Sequence, residues 1–428
     1  MHIRRVQHLF FYVRDGAMLD IGAFLSGSLR TFYEGELEAL SLLTGSAHKI
    51  DRAVLELLLR VPSERWIPFE ELELDGLVPA AASDTVSDLA LKGLLTTDSS
   101  DGNMARLRQM DQDMRSTQWN AYGALAHFMT KWQDVRAGLR LPTLGEENSS
   151  DVQRLRLAQK RRDATPEELG GLVDKDNQLL PFISQFGRPP SHFHVPQHIG
   201  TSIELPVIHK NGALYDTLIK RRTVRAFDPE ATLNVDNLSV ILRYVFGCQG
   251  LWEAGDDVWG IKRTSPSGGG LHPIEVYPLI MNVDGIKPGL YHYGAEHHAL
   301  EPLSALSSTE AIEMADEITA GQIYPRWAQA LFVMTARFYR SYWKYRNHRR
   351  AYSVILMDAG HLSQTFYLVC TELGVGPFVT AAINSTNIEA RLGLDGVTEG
   401  AIALCGCGTP KSKSFGLEPK YQAFVPRG

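Results

Sequence analysis

Four cations lie within six residues in the segment Lys220–Phe227, which has the sequence KRRTVRAF. Guanidinium groups match the geometry of phosphate oxygens, and the hydroxyl of Thr223 adds a further hydrogen-bonding group. The segment could therefore hold a phosphate. The alternative is a solvated basic face at the end of a helix, and the segment taken alone slightly favours that alternative.

A glycine-rich segment, Thr264–Ile280, has the sequence TSPSGGGLHPIEVYPLI. Its three consecutive glycines let the backbone approach a flat ligand, because no Cβ atom stands in the way. The hydroxyls of Ser265 and Ser267 and the nearby N–H groups can bond to ring carbonyls or to phosphate. The segment leads directly into an apolar strand, which would anchor it to the core. An anchored, glycine-rich loop favours a binding loop over a flexible surface loop.

A third segment, ELGVGPFV, could add a backbone wall at Gly376, although Gly374 is explained equally well as the end of a helix. Neither this segment nor CGCGTPK completes a G-x-G-x-x-G pattern, because Val379 and Lys411 occupy the place of the third glycine. The chain also contains no G-x-x-x-x-G-K-[ST] segment. The sequence therefore gives no support to a Rossmann dinucleotide site or to a P-loop.

Histidines and cysteines do not predict a metal site. His192, His194 and His198 lie in a proline-rich segment without an acidic or cysteine partner at ligand spacing. Cys405 and Cys407 lie in an apolar, strand-like run, where a structural role is the usual one. The four cysteines form no C-x-x-C pair, which is typical of a protein in a reducing compartment.

Composition narrows the class of protein. The 428 residues are 44% hydrophobic and 21% charged, which predicts a soluble chain with a real core and excludes general disorder. The net charge of −6 gives no electrostatic footprint for nucleic acid. Charges interrupt the apolar runs at the start of the chain, and no run reaches the roughly 18 apolar residues of a membrane span. We expect a cytoplasmic protein without a membrane segment.

The elements that must position these residues fall into three zones. In the first, residues 1–135, a β-like run at Val6–Val13 precedes a helix at about Ser46–Arg60. A short helix follows, then a helix at Asp84–Lys92 that Gly93 ends, and then a short strand and a turn. The order of helix, short helix, helix and hairpin is that of a winged helix.

The second zone, residues 136–205, has polar runs and then prolines, and we predict a linker with an exposed helix near Asp151–Arg162. The third zone, residues 206–428, contains the strand-like runs EVYPLIMNV and ALFVMTARF. It also contains the longest predicted helix, Ala351–Leu373. So long and apolar a helix should be buried on several sides, as the central helix of a dimer would be.

Taken together, the motifs of residues 206–410 resemble the FMN-binding parts of the nitroreductase superfamily. More specifically, they resemble the SagB-type dehydrogenases, which form thiazoles and oxazoles. The family's R-R-[ST]-x-R-x-F motif is matched from Arg221, and its P-S-G-G-small-L-x-P loop is matched by Pro266–Pro273. The run Gly289–Tyr293 and the D-A-G-H motif at Asp358–His361 follow in the family's order.

The resemblance implies an α+β fold, in which a nitroreductase-like FMN domain with an antiparallel-rich central sheet follows a winged-helix-like domain. It also implies an obligate homodimer, because the family builds its flavin site between subunits. The FMN-binding residues that it implies are Arg221, Arg222, Thr223, Arg225, Pro266, Ser267, Gly268, Gly269, Gly270, Leu271, His272, Gln364, Gly374, Val375 and Gly376.

The resemblance further assigns the catalytic role to Lys344 and Tyr345, which stand where azoline dehydrogenases of the family carry a Lys-Tyr pair. A base is needed if an unactivated C–H bond is to lose its proton while FMN takes the hydride. Desolvation would make the lysine a usable base, and a nearby cation would do the same for the tyrosine. The alternative, which has equal weight, is an exposed cationic and aromatic loop.

The first zone is poorly suited to bind DNA as many winged helices do. Its candidate recognition helix, Asp84–Lys92, contains only one lysine and two aspartates, so it would bind phosphates weakly. Small domains of this kind capture a leader peptide as an added strand in peptide-modifying enzymes, and the strand edge near Leu94–Thr97 is the candidate site. A purely structural domain that braces the dimer has equal weight.

The favoured function is therefore the FMN-dependent dehydrogenation of a ribosomally synthesised precursor peptide, with azoline to azole as the favoured reaction and a cyclodehydratase or another modifying enzyme as a partner. One alternative is an NAD(P)H-dependent reductase of nitro compounds or quinones. Another is a peptide-binding scaffold without catalytic activity. The intact arginine and glycine motifs disfavour the scaffold.

Overall fold

A computed structural model of the chain describes residues 1–19, 31–74, 82–135, 191–193, 203–255, 257–346 and 348–411. The exposed helix predicted near Asp151–Arg162 lies outside these residues, as do most of the predicted linker and two of its three histidines.

The amino-terminal part contains two small antiparallel sheets and five helices among the described residues. The strands are β1 (His2–Arg5), β2 (Leu9–Leu19), β3 (Thr31–Ser41), β4 (Ser46–Lys49), β5 (Ile67–Pro68) and β6 (Leu95–Thr97). The helices are α1 (Arg52–Arg60), α2 (Glu70–Leu74), α3 (Ala82–Leu91), α4 (Gly102–Ser116) and α5 (Ala121–Phe128). One sheet has the order β5-β1-β6 and the other the order β2-β3-β4.

The predicted order of helix, short helix and helix is present, but two details of this part were wrong. The first helix begins at Arg52, because the preceding residues form β4 against β3 and the Asp51 carboxylate caps the new helix at the Val54 N–H. The strand after Gly93 does not form a hairpin with a following strand. It pairs with β1, and Asp101 caps α4 where the turn and second strand were expected.

Strand β6, at the predicted leader-peptide edge near Leu94–Thr97, is an outer strand of its sheet, and α4 contacts its carboxyl end. Strand β6 is buried along its length. The guanidinium of Arg108 on α4 donates hydrogen bonds to the carbonyl oxygens of Thr97 (2.5 Å) and Ser99 (2.7 Å). These carbonyls are therefore already satisfied within the chain.

The carboxyl-terminal part contains a hairpin and one larger antiparallel sheet. The hairpin consists of β7 (Gly250–Gly255) and β8 (Val258–Lys262). The six strands of the larger sheet are β9 (Ile274–Ile280), β10 (Gly289–Gly294), β11 (Ala299–Ala305), β12 (Ala330–Arg337), β13 (Gly376–Thr380) and β14 (Glu399–Gly408), and their order is β11-β10-β9-β12-β14-β13. Its helices are α6 (Ala213–Lys220), α7 (Val235–Ile241), α8 (Ser308–Ile318), α9 (Phe338–Tyr342), α10 (Ala351–Glu372) and α11 (Ser385–Leu392). The two predicted apolar strands are confirmed as β9 and β12, which pair in the middle of the sheet.

Helix α10 confirms the predicted long helix almost residue for residue, but its burial differs from the prediction. Residues such as Ile355, Leu362 and Phe366 are buried against the sheet and α7. On the opposite face Leu356 and Met357 are 45% and 57% exposed. Within a single chain the helix is therefore buried on one side, and its second face remains apolar and exposed.

The amino-terminal part packs directly on the carboxyl-terminal part through α5 and the residues around it. The indole N–H of Trp119 donates to the Val397 carbonyl (2.9 Å), and its ring lies 4.5 Å from that of Phe338 at the start of α9. His127 contacts the Tyr352 hydroxyl (3.1 Å) and the Gly396 carbonyl (3.2 Å). Burial holds the pKa of His127 well below its usual value, so its ring is neutral in this contact.

The described helices include none that is both long enough and apolar enough to cross a membrane.

We predict that Trp119→Ala lowers the free energy of unfolding by about 3–5 kcal/mol, because a fully buried indole and its hydrogen bond are both lost. Urea denaturation followed by circular dichroism measures this change. Trp343→Ala is the matched control, since Trp343 is 52% exposed, and it should cost less than about 1 kcal/mol. Equal effects of the two substitutions would show that Trp119 does not join the two parts.

Candidate cofactor and active site

The glycine-rich loop is held in place by one buried carboxylate. Asp358, on α10, is 3% exposed. It accepts a hydrogen bond from the Ser267 hydroxyl (2.6 Å) and another from the Gly268 N–H (3.0 Å). The Ser267 oxygen in turn accepts one from the His272 N–H (2.9 Å), which closes the loop on itself. The loop is therefore fixed to the helix at its first glycine.

The glycines of this loop are required by their surroundings. A Cβ atom on Gly268 would lie 2.0 Å from Cγ1 of Val354, so no larger residue fits between the loop and α10. Gly269 and Gly270 have φ angles of 67° and 70°, which other L-residues rarely adopt. Beside Gly270 the space is open, since a Cβ atom there would have no other atom within 4 Å. A flat ligand could thus approach the loop from this open side.

Lys344 and Tyr345 lie next to this loop, although more than 70 residues separate them from it in sequence. The position of a Cβ atom on Gly269 would be 2.6 Å from the Tyr345 hydroxyl and 3.1 Å from the Lys344 ammonium nitrogen. Lys344 is exposed and Tyr345 half-buried. The structure thus brings the predicted catalytic pair to the predicted binding loop.

One face of α10 contacts the first half of this loop. Asp358, His361 and Thr365 follow each other at helical spacing and point to the same side. His361 Nδ1 is 3.2 Å from the Pro266 carbonyl, and the Thr365 hydroxyl is 2.6 Å from that of Ser265. The three side chains bond to successive residues of the loop and so determine its course.

His272 ends the loop in an unusual environment. It has a φ of 47° and is half-buried. Burial, together with the charges of Arg263 and Arg340, lowers the pKa of His272 to about 4. Both arginines are fixed by backbone carbonyls, since Arg263 donates to Ile274 (3.0 Å) and Arg340 to Leu271 (2.6 Å). His272 is therefore neutral at physiological pH.

The cationic segment after α6 is partly buried and contacts the start of β13. Its Val224 N–H donates to the Pro377 carbonyl (2.8 Å). The guanidinium of Arg221 lies 5.3 Å from the ring centroid of Tyr367, whose hydroxyl is 2.9 Å from that of Thr223. Arg225 lies 5.6 Å from the ring of Tyr324. These contacts orient the cations, which a freely solvated basic face would not do.

The third predicted segment adjoins the cationic one. Gly374, with a φ of 70°, ends α10 as the sequence suggested. Val375 is buried. A Cβ atom on Gly376 would lie 2.8 Å from Val224, so β13 approaches the cationic segment closely at this residue. Gln364 lies on the exposed face of α10, on the side of Met357 rather than that of Asp358.

Several residues of the site were not selected from the sequence. Tyr367 and Tyr324 orient the arginines, and Arg263 and Arg340 surround His272. The aromatic partners gave no signal, because they come from distant elements. Asp358, in contrast, could have been found, since it shares a helix face with His361 in a motif already noted.

Helix α10 connects the two halves of the site. Asp358 holds the glycine-rich loop and Tyr367 contacts the cationic segment, and the two residues are about 14 Å apart along the helix axis. At the end near Tyr367, the arginines of the cationic segment could bind a phosphate. At the end near Asp358, the open surface of the glycine-rich loop lies beside the amine of Lys344 and the phenol of Tyr345. Among the described residues no group of three His, Cys, Asp or Glu side chains could hold a metal ion.

Buried cysteines have no evident chemistry here. Cys370, Cys405 and Cys407 are fully buried in the core beneath α10. Burial raises the pKa of the Cys405 thiol, which keeps it protonated and unreactive. The predicted structural role of Cys405 and Cys407 agrees with this environment.

Comparison with known proteins identifies relatives of the carboxyl-terminal part. A model described as the nitroreductase family matches residues 218–409. A Methanocaldococcus jannaschii protein assigned to the nitroreductases is 30% identical over 190 residues, which are 44% of this chain and 88% of that protein.

Two further relatives are named for peptide processing. The trifolitoxin-processing protein TfxB of Rhizobium leguminosarum bv. trifolii is 30% identical over 176 residues, which cover 40% of this chain and 46% of TfxB. The microcin B17-processing protein McbC of Escherichia coli is 29% identical over 146 residues, which cover 32% of this chain and 51% of McbC. The chain thus spans about half the length of each of these two relatives.

We predict that His272 makes the protein less stable as the pH falls. Because its pKa in the folded protein is about 4 instead of 6.5, the unfolded chain binds the proton first, and stability is lost between pH 6.5 and about pH 4. Above pH 6.5 this contribution is constant. His272→Asn should reduce the loss at pH 5 by about 1 kcal/mol, a figure reduced for the partial exposure of the ring.

Urea denaturation at a series of pH values measures this difference. His297→Asn, at an exposed histidine, is the control and should follow the wild-type curve. A His272→Asn curve parallel to that of the wild type would show that His272 is protonated like an exposed histidine.

Proposed function

The chain belongs to the nitroreductase family, and from this premise we propose that it is an FMN-dependent oxidoreductase that dehydrogenates a ribosomally made peptide. The favoured reaction is the oxidation of an azoline to an azole. The observation that carries the proposal is the position of Lys344 and Tyr345 beside Gly269. Both side chains carry a group that can accept a proton, and they lie beside the loop whose surface at Gly270 is open to a flat ring.

The residues present fit FMN at both ends of the site. Arg221, Arg222, Thr223 and Arg225 would bind its phosphate, for which guanidinium groups are well suited. The loop Pro266–His272 would lie along its ring, because the side of the loop at Gly270 is open. Acceptance of a hydride is the chemistry that FMN supplies when it is bound. Gln364 and Gly374–Gly376 remain proposed contacts.

The role of this chain's own residues is to orient the peptide and to take its proton. In the azoline, the Cα–H bond breaks as a proton leaves and the Cβ–H bond breaks as hydride leaves, so two electrons and two hydrogens are removed. The Lys344 amine or the Tyr345 phenolate oxygen would accept the Cα proton. Lys344 is exposed in the single chain, and a bound peptide that displaces water from it would favour its neutral form.

A peptide substrate is supported by the relatives named for processing trifolitoxin and microcin B17. We also propose that residues 1–135 recognise a leader peptide and that another modifying enzyme, such as a cyclodehydratase, supplies the substrate. The edge near Leu94–Thr97 remains the proposed site for the leader, since β6 is an outer strand of its sheet; β2 and β4, the outer strands of the other sheet, are alternatives.

A homodimer is part of the proposal. Apolar side chains are exposed on α6, on the hairpin of β7 and β8, and on α10; they include Leu214, Leu218, Ile219, Leu251, Trp252, Val258, Trp259, Leu356 and Met357. Exposed apolar surface of this kind is typical of an interface. Between α6 and α10 it continues into an apolar cleft of about 460 Å³. A second copy of the chain would cover these residues.

We expect the purified protein to release FMN at about one molecule per subunit of a dimer. Absorbance before and after denaturation, with mass identification of the released chromophore and light scattering for the oligomeric state, measures this. Loaded protein should then convert a synthetic thiazoline peptide in air to a product lighter by two hydrogens. Failure to bind FMN after reconstitution would contradict the proposal, and rapid NAD(P)H oxidation without peptide turnover would favour a nitro or quinone reductase.

We expect Lys344→Ala and Tyr345→Phe to lower kcat for the thiazoline peptide, by about 10²–10⁴-fold for whichever group is the base. The FMN content should stay unchanged, since neither side chain is at the phosphate end of the site. Lys287→Ala, an exposed lysine on another loop, is the control. Wild-type kcat in both variants would exclude this pair as the source of the base.

A further inference from the structure

We propose that a basic surface next to Lys344 and Tyr345 binds an acidic segment of the peptide substrate, on the side of the residue to be oxidised. The basic surface consists of Arg346, Arg349 and Arg350 together with the aromatic side chains of Trp343 and Tyr122. This proposal rests on the proposed function, because it specifies the substrate of the same site.

Acidic side chains do not pair with the arginines of this surface in the described part of the chain. No acidic residue occurs from position 338 to position 357. Over the ranges that the structure describes, no carboxylate forms an ion pair with Arg346, Arg349 or Arg350. All three are exposed. In a chain with a net charge of −6, this concentration of positive charge is local and attracts anions to one place.

Hydrogen bonds within the chain hold the backbone on both sides of this surface. The N–H of Tyr345 donates to the Ser341 carbonyl (3.0 Å), and that of Ala351 donates to the His348 carbonyl (3.0 Å). Arg346 Nε donates to the Trp343 carbonyl (3.1 Å). These bonds place the three arginines next to the start of α10, close to Lys344 in sequence.

Aromatic rings lie among these cations. The guanidinium of Arg349 is 5.3 Å from the ring centroid of Tyr122, on α5 of the amino-terminal part. Tyr122 and Trp343 are 57% and 52% exposed. A surface of arginines and exposed aromatic rings suits an extended peptide that carries carboxylates, because guanidinium forks bond to carboxylates and rings pack against the chain between them.

The position of the surface separates it from the proposed phosphate site. Arg350 precedes the first residue of α10, and Tyr367, which contacts Arg221, lies about 25 Å further along the helix. Lys344, in contrast, is two residues from Arg346 and beside Gly269. The basic surface therefore continues from the proposed reaction centre outward to α5, which is the path a bound peptide would follow.

The test uses full-length, FMN-loaded protein and two short fluorescent peptides that differ only in glutamate or glutamine at alternate positions. Fluorescence anisotropy at low salt should show about tenfold tighter binding of the glutamate peptide, and added sodium chloride should remove this preference. The substitutions Arg346→Gln, Arg349→Gln and Arg350→Gln together should also remove it. The control protein carries Lys210→Gln, Lys287→Gln and Arg391→Gln, which remove the same charge from exposed positions outside residues 1–135 and should keep the preference.

Equal binding of the two peptides by wild-type protein would overturn the proposal, as would a preference that survives the three substitutions. Tighter binding of a single-stranded oligonucleotide than of the glutamate peptide would assign the surface to nucleic acid instead. If the protein with three substitutions fails to fold, the single substitutions Arg346→Gln, Arg349→Gln and Arg350→Gln are measured instead, and each should weaken the preference. FMN content is measured in every sample. Wild-type protein that contains FMN but shows no charge preference refutes only this surface, and wild-type protein that binds no FMN refutes only the oxidoreductase.

Discussion

The site depends on the buried carboxylate of Asp358. This one group accepts hydrogen bonds from Ser267 and Gly268 and so holds the glycine-rich loop against α10. Without it, two donors next to the helix would be left without a partner, and the loop would lose its carboxylate anchor to α10. Because the same helix contacts the cationic segment at Tyr367, the separation of the two halves of the site is set by the rigid rise of an α-helix.

The amino-terminal part contributes to the site through packing. Trp119 and His127 contact the residues that flank Lys344 and Tyr345 in sequence, at Phe338 and at Tyr352. These contacts are buried, and the histidine is neutral, so they behave as part of one core rather than as a loose contact between domains. Peptide binding by residues 1–135 would therefore act on a segment that is already joined to the proposed reaction centre.

The molecule has two separate groups of arginines, and each group suits a different kind of anionic ligand. The arginines near α6 are oriented by tyrosine rings and lie close to the backbone of β13, as suits a small, fixed anion. The arginines before α10 are exposed and lack carboxylate partners in the described part of the chain, as suits a longer ligand that arrives from solution. His272, placed between two further arginines, adds no charge of its own because burial keeps it neutral.

The sequence by itself determined the local features of this protein. The apolar spacing of the predicted helix Ala351–Leu373 matches α10 almost to the residue, and the strand-like apolar runs EVYPLIMNV and ALFVMTARF predicted the two central strands. The glycine motif by itself favoured a binding loop, because it depends on backbone freedom, whereas the arginine motif by itself slightly favoured a solvated basic face.

Tertiary structure decided the rest. Strand β6 pairs with β1 across more than 90 residues, and so the expected hairpin does not form. Lys344 reaches Gly269, and Tyr367 reaches Arg221, only because separate elements pack on α10. Partners of this kind are chosen by the packing of the whole chain, and no periodicity or spacing within a short segment contains that information.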